Sequence, residues 1–404
     1  MSRRLSKTGV TLPLGLVLAF LSVGAVRADG PVALSVDCAR GQSLSQALGI
    51  PPRPLIVEFT GTCTGDVEIP GDDIILRGAD ASATIIGTVT MVGRSRVTLE
   101  GFTVRDTPVG NPITRIGDGI VALRSQDINL KRMSVINAGN ISIDIEGSSV
   151  DITDLTVTRS RNIGLAVALG SVVEIFGTAS VSEGSNNGIM VTDKGQIQLS
   201  PRTVVSTTDN AGSGLFVQMQ GHVTIHGGGR LTSSRNGSGI NVVDHGNVIY
   251  GGSTIEVSAN RAFGIQVGQL ADWTIFGGVV PNLKVLNNGG PGILISRQAF
   301  VRLRENTTIT GNAGPGLVVD GAGIAMRGTT IQGNNNGNGD VVLVFGANAT
   351  FDGGDTVGTP IFCDGTPLVR GTLACGSSLT AAQAAASAVP VAPPDPGPDP
   401  LRPE

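Results

Sequence analysis

Aromatic side chains are scarce in this 404-residue sequence: they make up 3% of it, with one tryptophan and one tyrosine. That excludes a core of helices packed around aromatic rings. It also leaves few of the flat platforms on which sugar subsites stack their ligands. Histidine is as thin, with only His222, His226 and His245. His222 and His226 share a strand face but stand about 13 Å apart, too far to hold one metal directly. No serine elbow or cysteine partner supplies a histidine-based triad. The four cysteines form no CxxC pair and have no neighbouring histidine, so a zinc site is not expected. No basic block is present, which argues against a nucleic-acid partner. Beyond Ala28 no segment is apolar for long enough to span a bilayer.

The amino terminus reads as an export signal. Arg3, Arg4 and Lys7 form a positive region, TLPLGLVLAFLSVGAV (11–26) an apolar one, and Val26-Arg27-Ala28 precedes an expected cut before Asp29. Pro13 and Gly15 interrupt the apolar run and count against a membrane anchor. The segment 1–28 holds four basic side chains (Arg3, Arg4, Lys7 and Arg27) and no acidic one. Its removal leaves 24 basic against 32 acidic, a net charge of −8 instead of −4. A polyanion would be repelled unless a local basic groove received it. The expected destination is outside the cytoplasm, secreted, periplasmic or at the cell envelope, where disulfides form. Four cysteines allow three pairings. The local one, Cys38 with Cys63 and Cys363 with Cys375, is the expectation.

What the sequence has is glycine, 59 in all, and a repeat. A Gly-Ile or Gly-Leu step opens a short strand at Gly119, Gly164, Gly188, Gly214, Gly239, Gly264, Gly292 and Gly316. From Gly164 onward the steps recur at intervals of 24, 26, 25, 25, 28 and 24. NISIDIEG (140–147) fills the turn missing after Gly119. Such a period marks a solenoid. Each period carries a second strand, as in VDI (150–152), VEI (173–175) and VTI (223–225). A third follows, as in LTV (155–157), LKV (283–285) and TTI (307–309). Three strands in so short a period leave almost no room for helices. Leucine-rich repeats, hexapeptide helices and β-propellers each require a signature that is absent.

The pattern resembles the pectin-lyase-like superfamily over about residues 35–360. The resemblance implies an all-β fold: a single right-handed parallel β-helix of about 12 coils, with three parallel sheets. Asn260, Asn288, Asn312 and Asn334 each follow an apolar strand residue by three, and Asn162, Asn186, Asn210 and Asn236 mark earlier turns. Asparagine tolerates left-handed backbone, and stacked copies can bond into a ladder. GQSLSQALG (41–49), with Ser43 and Gln46 as a capping box, predicts a helical cap on the first coil. The domain therefore runs from 29 to 378. Residues 379–404 follow as an Ala-rich short helix, with Thr380 and Gln383 as a second box, and a disordered Pro-rich tail.

Chemistry is harder to find. Along the strands that follow the Gly step, the outward positions are mostly neutral or apolar and supply a lone Asp144 and a distant Asp320. The resemblance leads one to look there for a polysaccharide lyase or hydrolase. Neither the Asn-Thr-Asp, Asp-Asp and His-Gly motifs of the hydrolases nor the Asp-Pro-His-Asp of the epimerases is matched closely. On the second sheet Asp151 and Glu174 occupy matching outward positions one coil apart, close enough to shift one pKa and form an acid/base couple. The irregular insertion RDTPVGNPITRIGDG (105–119) offers Arg105, Asp106, Arg115 and Asp118 as a polar ligand site. No cofactor is expected. Calcium has only the single turn GGDTVG (353–358) to suggest it. Two readings follow. The first is an exported, non-catalytic β-helix that recognises a polysaccharide or an envelope protein, with Met190, Phe216, Val243, Leu294 and Val318 as an apolar stripe that is either a partner interface or a face covered by the Ala-rich tail helix. The alternative is a polysaccharide lyase or glycosidase. Amino-terminal sequencing of the exported protein should begin at Asp29; a product that keeps the segment 1–28 would mean an anchor.

Overall fold

Alternation within each period gives three short strands, each with one apolar edge, and stacking successive periods in register closes those edges around one core. The computed structural model describes residues 30–50, 54–109, 116–275, 281–334 and 339–378. Within them the chain is an all-β, right-handed parallel solenoid of about 13 turns. The strands that follow the Gly step form sheet I, with 14 strands from Val67–Glu68 to Cys375–Ser378. The second and third strands of each coil form sheets II and III, hydrogen-bonded into one 25-stranded assembly. They join because single strands, such as Gln126–Ile136 and Ser149–Thr158, run through both and bend at one left-handed residue (Arg132, φ 50; Asp154, φ 56).

Register carries the core from coil to coil. Ile143 pairs with Leu165 in sheet I, Val150 with Val173 in sheet II and Val157 with Val181 in sheet III, all parallel. One coil thus buries Ile143, Ile145, Val150, Ile152, Leu155 and Val157, none more than 2% exposed. Each such side chain contributes roughly 1.5–3 kcal/mol. Tyr250 and Trp273, the lone members of their kinds, pack against each other inside this core with ring centroids 5.4 Å apart. Neither is available as a sugar platform.

The return from sheet III to sheet I is where backbone polar groups are buried, and the asparagines satisfy them. The Nδ2 of Asn260 donates to Asn288 Oδ1 at 2.9 Å, that of Asn288 to Asn312 at 2.8 Å and that of Asn312 to Asn334 at 2.9 Å. Each Oδ1 also accepts the backbone N–H of the asparagine one coil earlier, as from Asn260 N to Asn288 at 3.1 Å. The ladder runs from Asn210 to Asn334 and ends on Asp340 at 2.7 Å. Asn162 and Asn186, grouped with these by sequence, belong to a second ladder that starts Asp118–Asn140. They stand two positions before the Gly step, whereas Asn210, Asn260, Asn288 and Asn312 stand four before it. Where the ladders change over, Gly184 takes the asparagine's place and donates its N–H to Asn210 at 2.9 Å.

This crowding explains the Gly step. A Cβ on Gly292 would lie 2.6 Å from the Gly316 carbonyl oxygen, 2.6 Å from Ile309 and 2.8 Å from Asn312 Nδ2. The coil below leaves room for a hydrogen and nothing larger.

A short helix lies at the amino-terminal end, and both expected disulfides form. Helix Leu44–Leu48 begins at Ser43 and buries Leu44, Ala47 and Leu48. The Ser43 hydroxyl accepts the Gln46 N–H at 3.3 Å. Cys38 pairs with Cys63, and Cys363 with Cys375, the latter joining the last two strands of sheet I. The export signal (1–28) and the segment 379–404 lie outside the described residues. Of the two expectations for the apolar stripe, the open partner face is corrected. Met190, Phe216 and Val318 are at most 5% exposed, and Val243 and Leu294 are partly buried. They do point away from the coil interior, but they pack into small clusters of their own instead of an open stripe.

Asn288→Ala would strip partners from buried groups in two neighbouring coils. It should lower the unfolding free energy by about 1–3 kcal/mol. Asn186→Ala, on a less buried rung, should cost less. Denaturant midpoints of the two variants would check this, and equal midpoints would contradict it.

Candidate functional site

Sheet I passes into sheet II through two-residue turns, each closed by an N–H to C=O bond across the turn. Gly195 N donates to Thr192 at 2.8 Å, Gly221 N to Gln218 at 2.8 Å and Gly246 N to Val243 at 2.9 Å. Both central residues are left-handed in Asp193–Lys194, Met219–Gln220, Asp244–His245 and Gln269–Leu270. Such turns favour glycine, asparagine and aspartate. Lys194, Met219, Gln220 and Leu270 are none of these, and a side chain in that conformation costs roughly 1–2 kcal/mol. The stacked coils hold them there: Lys194 N donates to the Met219 carbonyl at 3.1 Å and His245 N to that of Gln269 at 3.1 Å.

The result is a recess along one edge of the solenoid. One part, of about 680 Å³, is lined by Leu169, Gly170, Asp193, Lys194, Met219, Gln220, Asp244 and His245. A second, of about 390 Å³, shares Leu169 and continues past Gly147, Glu146, Arg124 and Leu123 to Val92. Leu169 and Val92 stand 51% and 44% exposed, so apolar contact area faces the recess beside the polar groups. His245 Nδ1 lies 3.3 Å from Asp244 Oδ1. Three carboxylates, Glu146, Asp193 and Asp244, stand along it with Arg124 and Lys194, and His245 lies beside Asp244.

The residues singled out by sequence sit elsewhere. Asp151 and Glu174 are register partners on sheet II. Burial raises the Asp151 pKa first, and the charges of Glu174 and Asp127 add to it against the opposing Lys131. Glu174 accepts a hydrogen bond from the Ser200 hydroxyl. Asp144 lies on sheet I, fully buried, on the same strand as the nearly buried Glu146. Arg105 pairs with Asp106 at 3.5 Å, and Asp106 accepts from Asn137 at 2.8 Å. Asp118 turns inward and accepts from Asn140 at 2.7 Å and from the Ile141 N–H at 3.1 Å. Arg115 lies outside the described residues. Thr107 ties the insertion to its coil by donating to the Gly117 carbonyl and accepting the Gly139 N–H at 2.7 Å. In GGDTVG, Asp355 accepts the Thr329 N–H at 2.9 Å. His222 bonds Thr224 at 2.8 Å, and burial lowers its pKa.

The turn residues were missed from sequence because left-handed pairs have no periodic hydropathy. Their trace is a small residue directly after each pair: Ser171, Gly195, Gly221, Gly246 and Ala271.

No protein-family model matches the chain, and no curated protein matches it. Solved structures do. The A-module of the Azotobacter vinelandii mannuronan C-5 epimerase AlgE6 aligns with 83% of this chain and 91% of its own, at 14% identity and a TM-score of 0.50. Pectate lyase Pel9A aligns over 84% and 73% at 12% identity and a TM-score of 0.28. The siphovirus 9NA tailspike receptor binding domain aligns over 86% and 76% at 8% identity and a TM-score of 0.31. The likeness is one of fold: this chain is a right-handed parallel β-helix.

The raised pKa of Asp151 has a measurable sign. Just above the ordinary aspartate range, the folded chain keeps a proton that the unfolded chain has released, so stability falls as pH rises through that window. Asp151→Asn should therefore raise stability by up to about 0.5 kcal/mol at about pH 7 and leave it unchanged at about pH 3, where the aspartate is already protonated. Melting curves at both pH values test this; no gain at the higher pH would contradict it.

Proposed function

We propose that this protein is an exported, non-catalytic solenoid that binds a neutral polysaccharide along the edge recess. The observation that carries this reading is the recess itself. It repeats with the coil, about every 4.8 Å, and left-handed side chains are held open along it at a conformational cost. A linear glycan repeats on a similar length. Its ring faces would meet Leu169, Met219 and Val92, and its hydroxyls Gln220, Asp244 and His245. Charge selects the ligand class: with three carboxylates against Arg124 and Lys194 in the recess on an acidic chain, a polyuronate gains no net attraction. In this respect the ligand would differ from the mannuronan of the epimerase. The two disulfides support export.

A second reading, a glycosidase, rests on the register pairing of Asp151 with Glu174. Stacked strands bring these carboxylates to about the separation that retaining hydrolases use.

Affinity electrophoresis against neutral and uronic-acid polysaccharides should show retardation by neutral glycans only. Leu169→Asp or Gln220→Ala should weaken it at least about fivefold, near 1 kcal/mol. Binding that neither change affects would move the site elsewhere. New reducing ends that vanish in Asp151→Asn and Glu174→Gln would overturn the non-catalytic reading.

A further inference from the structure

Within the edge recess the coils follow an order. Two-residue turns begin at Leu169–Gly170, where the Ser171 N–H bonds the Ala168 carbonyl at 3.1 Å; the two coils before it bend at single left-handed residues, Arg124 and Gly147. Five such turns then stack in succession. The N–H of Gly170 bonds the Asp193 carbonyl at 2.9 Å, that of Lys194 the Met219 carbonyl at 3.1 Å, that of Gln220 the Asp244 carbonyl at 3.3 Å and that of His245 the Gln269 carbonyl at 3.1 Å. The first, third and fifth turns, Leu169–Gly170, Met219–Gln220 and Gln269–Leu270, each hold one apolar side chain and no charge. The second and fourth, Asp193–Lys194 and Asp244–His245, each hold a carboxylate next to a nitrogen base. The following turn, Arg297–Gln298, holds neither an apolar side chain nor a carboxylate and ends the series.

The backbone does not ask for this alternation. Left-handed turns favour glycine, asparagine and aspartate in every coil alike. Leu169 and Leu270, at 51% and 47% exposure, lie outside the core, so packing does not select them either. Each kind of turn recurs at every second coil, a repeat of about 10 Å along the solenoid axis.

We propose, resting on the glycan reading above, that the recess selects a straight, neutral glycan with two-fold symmetry. This is a diequatorially linked pyranose chain of the cellulose or mannan kind, laid parallel to the solenoid axis across these five turns. In such a chain each sugar is turned half a revolution from the last and advances by close to one coil spacing. The edge it shows the protein therefore alternates. One edge carries two adjacent secondary hydroxyls, which a carboxylate and a neighbouring amine or imidazole bind together through charge-assisted hydrogen bonds. The other carries the hydroxymethyl group and ring C–H surface, which suits Leu169, Met219 and Leu270. Ligand and recess both repeat after two units, so every sugar meets the turn it fits. A glucan whose linkage curls the chain, as in laminarin or amylose, turns by another angle at each sugar and falls out of step with the turns.

Titration calorimetry on the purified full chain compares straight hexasaccharides, cellohexaose and mannohexaose, with curled ones, laminarihexaose and maltohexaose. A straight hexamer should bind at least about tenfold tighter than either curled one. Affinity should stop rising near five sugars, the number of turns in the series. Met219→Asp combined with Asp244→Met keeps composition and net charge but reorders the turns. It should bring straight and curled hexamers to within about twofold of each other. Leu169→Gly suits a left-handed backbone (φ 54); it should weaken straight-chain binding without lowering the melting temperature. A straight-chain preference that the reordered variant loses, with its melting unchanged, supports the proposal. A preference that survives the reordering would overturn it. So would equal binding of straight and curled hexamers in the wild type; if Leu169→Gly then weakens both, the recess still binds neutral glycans and only the two-fold selection falls. No binding of any neutral glycan would remove the reading and the proposal together.

Discussion

Every coil of this molecule rests on the next at the spacing of hydrogen-bonded strands, about 4.8 Å. A residue at a given place in the coil therefore sits directly on its counterpart. The constraint is harshest on the return from sheet III to sheet I, where turn N–H groups are turned away from water. An unmet buried N–H costs about 1–3 kcal/mol, and the turn recurs in every coil. A side chain that both donates and accepts solves all the repeats at once, because each rung satisfies the one before it. Asn210 to Asn334 do this over six coils. The Gly step follows from the same closeness, since the carbonyl and ladder amide of the next coil fill the space a Cβ would need.

Stacking also decides what the surface can be. Where neighbours are alike in charge they repel, as at Asp151 and Glu174. Where they alternate they form ion-pair chains, as from Glu58 through Arg77 to Glu100 and Arg132. Where they are bulky they must stand out. The left-handed turns between sheets I and II hold Leu169 and Leu270 in that way, with Met219 half-buried between them, and the edge becomes a recess with a regular repeat. The fold supplies a long, periodic surface and says little about chemistry, since solenoids of this build carry unrelated functions. The carboxylates here are spread over separate faces, with Asp144 and Glu146 on sheet I and Asp151 and Glu174 on sheet II. The excess of carboxylates over cations along the recess is thus a better guide to the ligand than any single residue.

Much of the architecture was legible in the one-dimensional pattern. The Gly step and the three alternating segments repeat local chemistry at a fixed period, and the cap at Ser43 and the cysteine pairing join residues close in the chain, so all survive projection onto the sequence. The candidate site did not survive it. Asp118 looks like a loop carboxylate beside Arg115, yet it is the first rung of an asparagine ladder, a role visible only once Asn140 is stacked beneath it. Trp273 and Tyr250, the one tryptophan and the one tyrosine, lie in the core, which the sequence did not reveal.

The sequence by itself determined that this chain coils, with what period, in three strands, and with which residues facing in, because hydropathy alternation and glycine placement act within a single turn. Only the tertiary structure decided which turns are left-handed, which asparagines share a ladder, that Met190, Phe216 and Val318 are buried instead of presented, and where the edge recess runs. Those outcomes depend on what lies one coil above and below, a full period away in the chain and one hydrogen bond away in space.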